Sequence, residues 1–284
     1  MAAELAARLT RPEPSLPVAR PARWSASRAW SAVWPKLGAL AITVILWQLV
    51  VWTGWKSPSA LPGPWPVVMR LGDDLQHPDF YAGIAVTLRR AALGYAVAAG
   101  AGVAVAMVIA RIRLVRRAVG SVLVGLQSMP SIAWFPLAVL LLQRSEGAIT
   151  VVVLMGAAPA IAGGLLSGID HVQPALIRVG RAMGADGLVL YRHVILPAAL
   201  PAFVTGLKQG WALAWRSLMS AELLLAAGNQ ASIGLQLQAA RNQSDARQLL
   251  ALLVVIFVIG VVVDALFGAC ERAVRSRWGL GGEE

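Results

Sequence analysis

A single cysteine, Cys270, among 284 residues rules out an intrachain disulfide and any cysteine-based metal site, and leaves that side chain to act as packing material. Histidine is nearly as scarce: His77, His171 and His193 lie far apart, and none belongs to a ligand-spaced motif, so no metal site is expected. No nucleophile sits beside a base in a way that would mark a catalytic centre; Ser128 and Ser131, flanking Pro130, read as helix-bend residues. A G-x-x-x-x-G-K-[ST] phosphate cradle is missing, so no nucleotide hydrolysis by such a motif is expected of this chain. Charge is thin at 14% of residues, and acids are the scarcer sign, with 14 Asp and Glu against 25 Lys and Arg. A soluble domain carries about a quarter of its residues as charges.

Apolar residues fill the space, at 58% of the chain with a mean hydropathy of +0.67. A net charge of +11 would suit nucleic acid or a membrane surface, and the placement of the basic residues decides between them. They flank apolar runs: Arg8, Arg11, Arg20, Arg23, Arg28 and Lys36 before the first, Arg111, Arg113, Arg116 and Arg117 after the second, Arg272, Arg275 and Arg277 after the last. Lys and Arg held back in cytoplasmic loops give this pattern, and no nucleic-acid partner is expected.

A crossing helix needs about 20 mostly apolar residues, because in lipid its backbone groups must pair internally. Six runs qualify, at 37–55, 91–110, 118–142, 148–168, 198–223 and 248–270, which predicts an all-α membrane protein with six transmembrane helices in a bilayer. The third run should kink or unwind at Pro130 and Pro136. An even count puts both termini on one side, so residues 1–36 become a cytoplasmic tail, 37–270 the membrane domain with a cytoplasmic loop over 170–197, and 271–284 a second cytoplasmic tail. The first tail lacks the unbroken apolar core of a cleavable signal, and a short interfacial turn is expected near Trp30 and Trp34. Segment 56–90 then lies outside, against the vote of Lys56, Arg70, Arg89 and Arg90. Gly206 and Gly210 form a small-xxx-small pair suited to close helix packing, within the chain or with a second copy.

The stretch "RVGRAMGADGLVLYRHVILPAALP", residues 178–201, separates the fourth and fifth runs. Gly184 can break a helix into two arms, and Asp186 is placed to cap the second arm by accepting from exposed amides. Leu188, Tyr191 and Ile195 then share a face while Arg192 points elsewhere, and Pro197 with Pro201 restarts the chain as the fifth span. On these grounds alone the loop is either a plain interfacial connection or a stiff knob presented to a partner.

Gly184, nine residues, then Val194-Ile195-Leu196-Pro197 resembles the signature of ABC importer permeases, in which Glu-Ala-Ala, three residues, glycine and nine residues lead to Ile-x-Leu-Pro. The chain departs from it at Arg178-Val179-Gly180 in place of Glu-Ala-Ala and at Val194 for isoleucine. The segments "LPGPWPVVMRL", "TLRRAALGYAVAAGAGVAVAM", "LQSMPSIAWFPLAVLLL" and "LPAALPAFVTGLKQGWALAWRSLMSAELL" are similar to the nitrate/sulfonate/taurine (bicarbonate) branch of that family. The resemblance implies a type I ABC importer permease fold in the inner (cytoplasmic) membrane. It also implies a homodimer with a second copy, two cytoplasmic ATPase subunits that bind ATP and Mg, an extracytoplasmic solute-binding protein, and no cofactor in this chain. The quoted loop would then be the coupling helix, with Gly184, Asp186, Leu188, Tyr191, Arg192 and Pro197 as its contact residues. Sulfonates, nitrate, bicarbonate or a pyrimidine precursor of thiamine all fit the branch. An ATP-independent secondary transporter or channel for a small anion is the alternative; it would carry coupling carboxylates or a charged ring deep in several helices.

A charge at the centre of a span costs roughly 2.5 to 3.5 kcal/mol on insertion scales and marks a pathway or a buried pair. The fifth run holds Lys208, Arg216 and Glu222, and helical spacing puts Lys208, Trp215 and Glu222 on one face with Trp211 beside them and Arg216 about a quarter turn away. That face lines an anion route, or else Lys208 snorkels and Glu222 pairs with Arg216 or another helix. Met129, Ser131 and Trp134, at the break in the third run, are further lining candidates. Asp264, close to Arg272, reads as a structural partner.

Overall fold

A computed structural model describes residues 26–111, 113–225 and 232–278, so the expected tail over 1–25, with its four arginines, and the end of the second tail over 279–284 fall outside it. The regular elements among these residues are all helical. The chain divides into two compact units, Met1–Thr53 and Gly54–Glu284.

The first unit contributes α1, Ala26–Trp52, a helix of 27 residues that runs through Pro35. Residues 26–36, read from the sequence as tail, are therefore helical throughout, with no separate turn near Trp34. The apolar portion of α1 is Leu37–Trp52, about 24 Å at 1.5 Å per residue and shorter than the roughly 30 Å of a bilayer core.

In the second unit, α2 (Pro64–Asp74) and α3 (Pro78–Arg111) precede α4 (Arg113–Ser128), a single 3₁₀ turn over Ser131–Trp134 and α5 (Phe135–Leu142). Then follow α6 (Glu146–Asp170), α7 (Pro174–Ala182), α8 (Gly187–Leu190), a π turn over Tyr191–Ile195, α9 (Leu196–Leu225), α10 (Ile233–Asn242) and α11 (Ala246–Arg277). Among the described residues, four helical stretches are long and apolar enough to cross a bilayer: Pro78–Ala110, Glu146–Asp170, Gly187–Leu225 and Ala246–Arg277. The pair Gly120–Ser128 and Ser131–Leu142 makes a fifth if counted as one span, but its halves meet at 94°. The prolines foreseen as a kink thus turn the chain through a right angle. The six expected crossings come out as four unbroken helices, one bent pair and the shorter apolar stretch of α1.

α3 corrects the sequence reading most. It starts at Pro78 rather than near 91, so Arg89 and Arg90 stand inside a 34-residue helix instead of in an outer loop. Helix starts follow capping chemistry: Ser145 accepts from the Ala148 amide ahead of α6, Ser232 from Leu235 ahead of α10, and Asp245 from Arg247 and Gln248 ahead of α11. α2 is tied to the start of α11, where Gln248 donates to Asp74 at 2.9 Å and Arg70 reaches both residues.

α6 is the central helix, buried on most sides between α3 and α9. Ile149, Val152, Val153 and Ile161 pack with Leu218 and Leu225 of α9, each essentially inaccessible, while Leu165 and Leu166 join Ile109 of α3 and Leu123 of α4. Small residues set the α6–α9 distance. A Cβ on Gly164 would come within 2.5 Å of the Gly206 Cα, and one on Gly210 within 2.4 Å of the Ile161 side chain. The glycine pair found in the sequence therefore serves contact within the chain. Cys270 is exposed, not packed.

Candidate functional site

Two parts of the α6–α9 region gather the residues singled out from the sequence. One is the approach to α9. α7 ends in a Schellman motif: Gly184 takes φ +82, its amide donates to the Arg181 carbonyl at 2.9 Å, and the Ala185 amide donates to Gly180 at 3.0 Å. Gly187 is also left-handed, at φ +54. Two such angles in four residues reverse the chain at little cost only because both positions lack a Cβ. Asp186 has the extended backbone of an N-cap, but its side chain makes no capping bond; its carbonyl serves the Val189 and Leu190 amides instead.

Leu-Pro does not restart the chain. Helix runs unbroken from Gly187 to Leu225, and the amide that Pro197 lacks is absorbed by the preceding π turn, in which the Leu196 amide reaches back five residues to Tyr191. The face that holds this arm down is also not the expected one. Leu190 is buried, and with Val194 it seats on Gly180, where a Cβ would meet Leu190 at 2.8 Å and Val194 at 3.0 Å. Leu188 is 69% exposed, beside Val189 and the 82% exposed Met183; Asp186 and Arg192 are exposed too, Tyr191 and Pro197 half-buried. The result is a braced bend with an uncovered apolar crown.

The second part is α9 itself, whose two faces separate the predicted pathway residues. Lys208, Trp211, Trp215 and Glu222 fall within about 60° of one another and turn into the protein. Trp211 and Trp215 stack at 6.3 Å, with Tyr95 edge-on to Trp211 at 5.4 Å, so both indoles belong to the core rather than to an open passage. Lys208 Nζ lies 3.7 Å from Glu271 and 3.9 Å from Asp264, which gives Asp264 a partner on α9.

Glu222, 1% exposed, does not pair with Arg216. It accepts from Arg90 Nη1 at 2.9 Å, from Thr87 Oγ1 at 2.9 Å and from the Gly234 amide at 3.1 Å. Arg90 turns its remaining donors to Glu146, with Nε to Oε2 at 2.9 Å and Nη2 to Oε1. Thr87 also accepts from the Ile233 amide at 3.0 Å. One guanidinium fork thus joins α3, α6 and α9, and the carboxylate it neutralises receives a free amide at the start of α10. Sequence reasoning missed Thr87, Arg90 and Glu146. The available signal was the apolar "IAV" ahead of "TLRR", which extends the span past the arginines, together with the need of Glu222 for a cation.

The other face of α9 is open. Arg216 and Ser220 line a cleft of about 300 Å³ with Met129, Ser131 and Gln127. Ser131 bonds Ser217 at 2.6 Å, over Gly156, where a Cβ would stand 2.2 Å from Ser217 Oγ. Trp134 is half-buried and does not line this cleft. A second cleft of about 400 Å³ lies along Thr205, Gln209, Ser167 and Gln127. Gln127 borders both and donates to the Pro159 carbonyl at 3.0 Å. The three histidines each bond a carbonyl four residues earlier and take no part here.

Residues 98–276, which include the bend, both clefts and all of α9, match the model of the family described as binding-protein-dependent transport system inner membrane component. The chain belongs to this family. Among relatives of this inner-membrane component, the putative aliphatic sulfonates transport permease protein SsuC of Bacillus subtilis is 25% identical over 82% of this chain and 83% of its own length. The nitrate import permease protein NrtB of Synechocystis is 26% identical, covering 83% and 87%, and the taurine transport system permease protein TauC of Escherichia coli 27%, covering 88% and 90%. The fold is that of solved importer subunits. One chain of the inward-facing MetNI methionine ABC transporter superposes with a TM-score of 0.60 at 20% identity, over 69% of this chain and 96% of that one. A chain of an amino acid ABC transporter solved with histidines gives 0.57 at 16%, over 69% and 94%.

Proposed function

We propose that this chain is the permease subunit of an ATP-driven importer that receives a small anionic solute from an extracytoplasmic binding protein and releases it into the cytoplasm. It works as a homodimer on two cytoplasmic ATPase subunits, which hold ATP and Mg, with both of its own termini on the cytoplasmic side. The observation that carries the reading is the braced bend over 180–197. Met183, Leu188 and Val189 are uncovered on an arm continuous with a spanning helix, and Leu190 locks that arm to Gly180. An apolar crown of this kind needs a partner, and a continuous helix transmits displacement that a slack loop would absorb. Arg178 stands exposed where the family motif has glutamate, so this chain replaces an acidic contact with a basic one at that point.

The relatives named for aliphatic sulfonates and nitrate support an anion as the solute, and the one named for taurine supports a sulfonate group on it. The ATP-independent alternative needs a titrating carboxylate in the passage, and Glu222, the carboxylate buried within α9, is held by Arg90 and Thr87. The test is affinity recovery of the solubilised chain from its native membranes. Co-recovery of an ATPase and loss of uptake on ATP depletion are expected; a chain recovered alone, with uptake that persists without ATP, refutes the reading.

A further inference from the structure

Gln209, Arg216 and Ser220 share one face of α9, within about 40° around the helix axis, and each lines one of the two clefts joined at Gln127. Among the described residues none of the three has a hydrogen-bond or ion-pair partner. That is costly inside a membrane-spanning helix, where polar side chains either pair or face water. The contrast within α9 is direct: Lys208 has two carboxylates within 4 Å and Glu222 a guanidinium, whereas Arg216 has no acid facing it from α4, α6 or α9 in its cleft.

We propose that this stripe is a hydrated solute track, that Arg216 is its anion-holding station, and that the ligand it takes is a small oxyanion. The guanidinium presents paired N–H donors to two oxygens of one such group. Ser220 lies one turn beyond it, Gln209 offers an amide donor in the second cleft, and Gln127, whose Nε2 already donates to Pro159, borders both. Trp211, Trp215 and Glu222, on the inward face, take no part. The proposal rests on the permease reading for its direction of transport but not for its chemistry, so the test needs neither the ATPase nor the natural solute.

The test places single cysteines at Gln209→Cys and Ser220→Cys on the track and at the buried Ala214→Cys as reference, in the full chain in native membranes with Cys270→Ser. Each is treated with sulfonatoethyl and trimethylammonioethyl methanethiosulfonate, anionic and cationic reagents whose rates are normalised to a free thiol. Both track cysteines should react at least about ten-fold faster than Ala214→Cys, since a thiol in lipid or in packed core does not ionise. At Ser220→Cys the anion-to-cation rate ratio should fall about ten-fold on adding Arg216→Gln and hold on adding Arg216→Lys, the change expected from one charge a few ångströms away in water. Track cysteines as slow as the reference at both positions overturn the track; a ratio unmoved by Arg216→Gln overturns the station. Reactive cysteines with the charge effect, in a chain that recovers no ATPase, leave this proposal standing and remove only the importer reading.

Discussion

Arg90 and Arg216 are both arginines inside apolar helices, and the protein treats them in opposite ways. Arg90 is 6% exposed and spends its guanidinium on Glu146 and Glu222, with Thr87 and the start of α10 completing the shell. Arg216 lies open to a cleft with no carboxylate beside it. The difference separates a charge that fastens helices from a charge kept available, and burial alone would not have distinguished them from the sequence, since each sits amid the same apolar residue types.

The sharpest way to break the comparison is to strip Arg90 of its buried partner, Glu222. Glu222→Ala leaves the buried Arg90 guanidinium, the Thr87 hydroxyl and the Gly234 amide each short of an acceptor, and should cost about 3–5 kcal/mol, read as a drop in unfolding midpoint in detergent. If Arg90→Met with Glu222→Met restores most of that loss, the pair serves geometry rather than net stability. Next comes Gly164→Val, whose side chain would be driven into the Gly206 backbone; about 1–3 kcal/mol of destabilisation is expected in the same assay, with Gly100→Val, where a Cβ meets nothing, as the neutral control. Leu188→Asp, on the exposed crown, should change stability by less than about 0.5 kcal/mol while abolishing uptake and ATPase co-recovery; retained uptake would displace the proposed contact. The smallest stability effect belongs to Arg216→Gln, within about 0.5 kcal/mol, because no partner is lost. A thermal shift as large as that of Glu222→Ala would mean that Arg216, too, is a fastener.

Much of the frame was legible. Apolar run length located α6 and α9 to within two residues at each end and α11 at its start but seven residues short of its end, Pro130 and Pro136 marked the break, and Gly184 marked the reversal after α7. The chain from 184 to 197 read less well. Leu-Pro resembles a helix start, yet a π turn lets the helix pass through it, a choice that depends on Leu190 and Val194 finding Gly180. The α3 boundary was missed because Arg89-Arg90 looks like the edge of a membrane segment until Glu146 and Glu222 are brought to it from 56 and 132 residues away.

Composition and periodicity by themselves determined that this chain is helical, where most of its apolar segments lie, that the bend would form at glycine, and that α9 would carry charge. These follow from local constraints: backbone groups without water, φ angles open to glycine, the missing amide of proline. Which face of α9 turns inward, and which arginine is neutralised, was decided only by the tertiary structure. Helical spacing gives the angle between side chains but no direction in space, and that direction is set when Gly164 meets Gly206, Trp211 stacks on Trp215, and Arg90 arrives from α3 to claim Glu222.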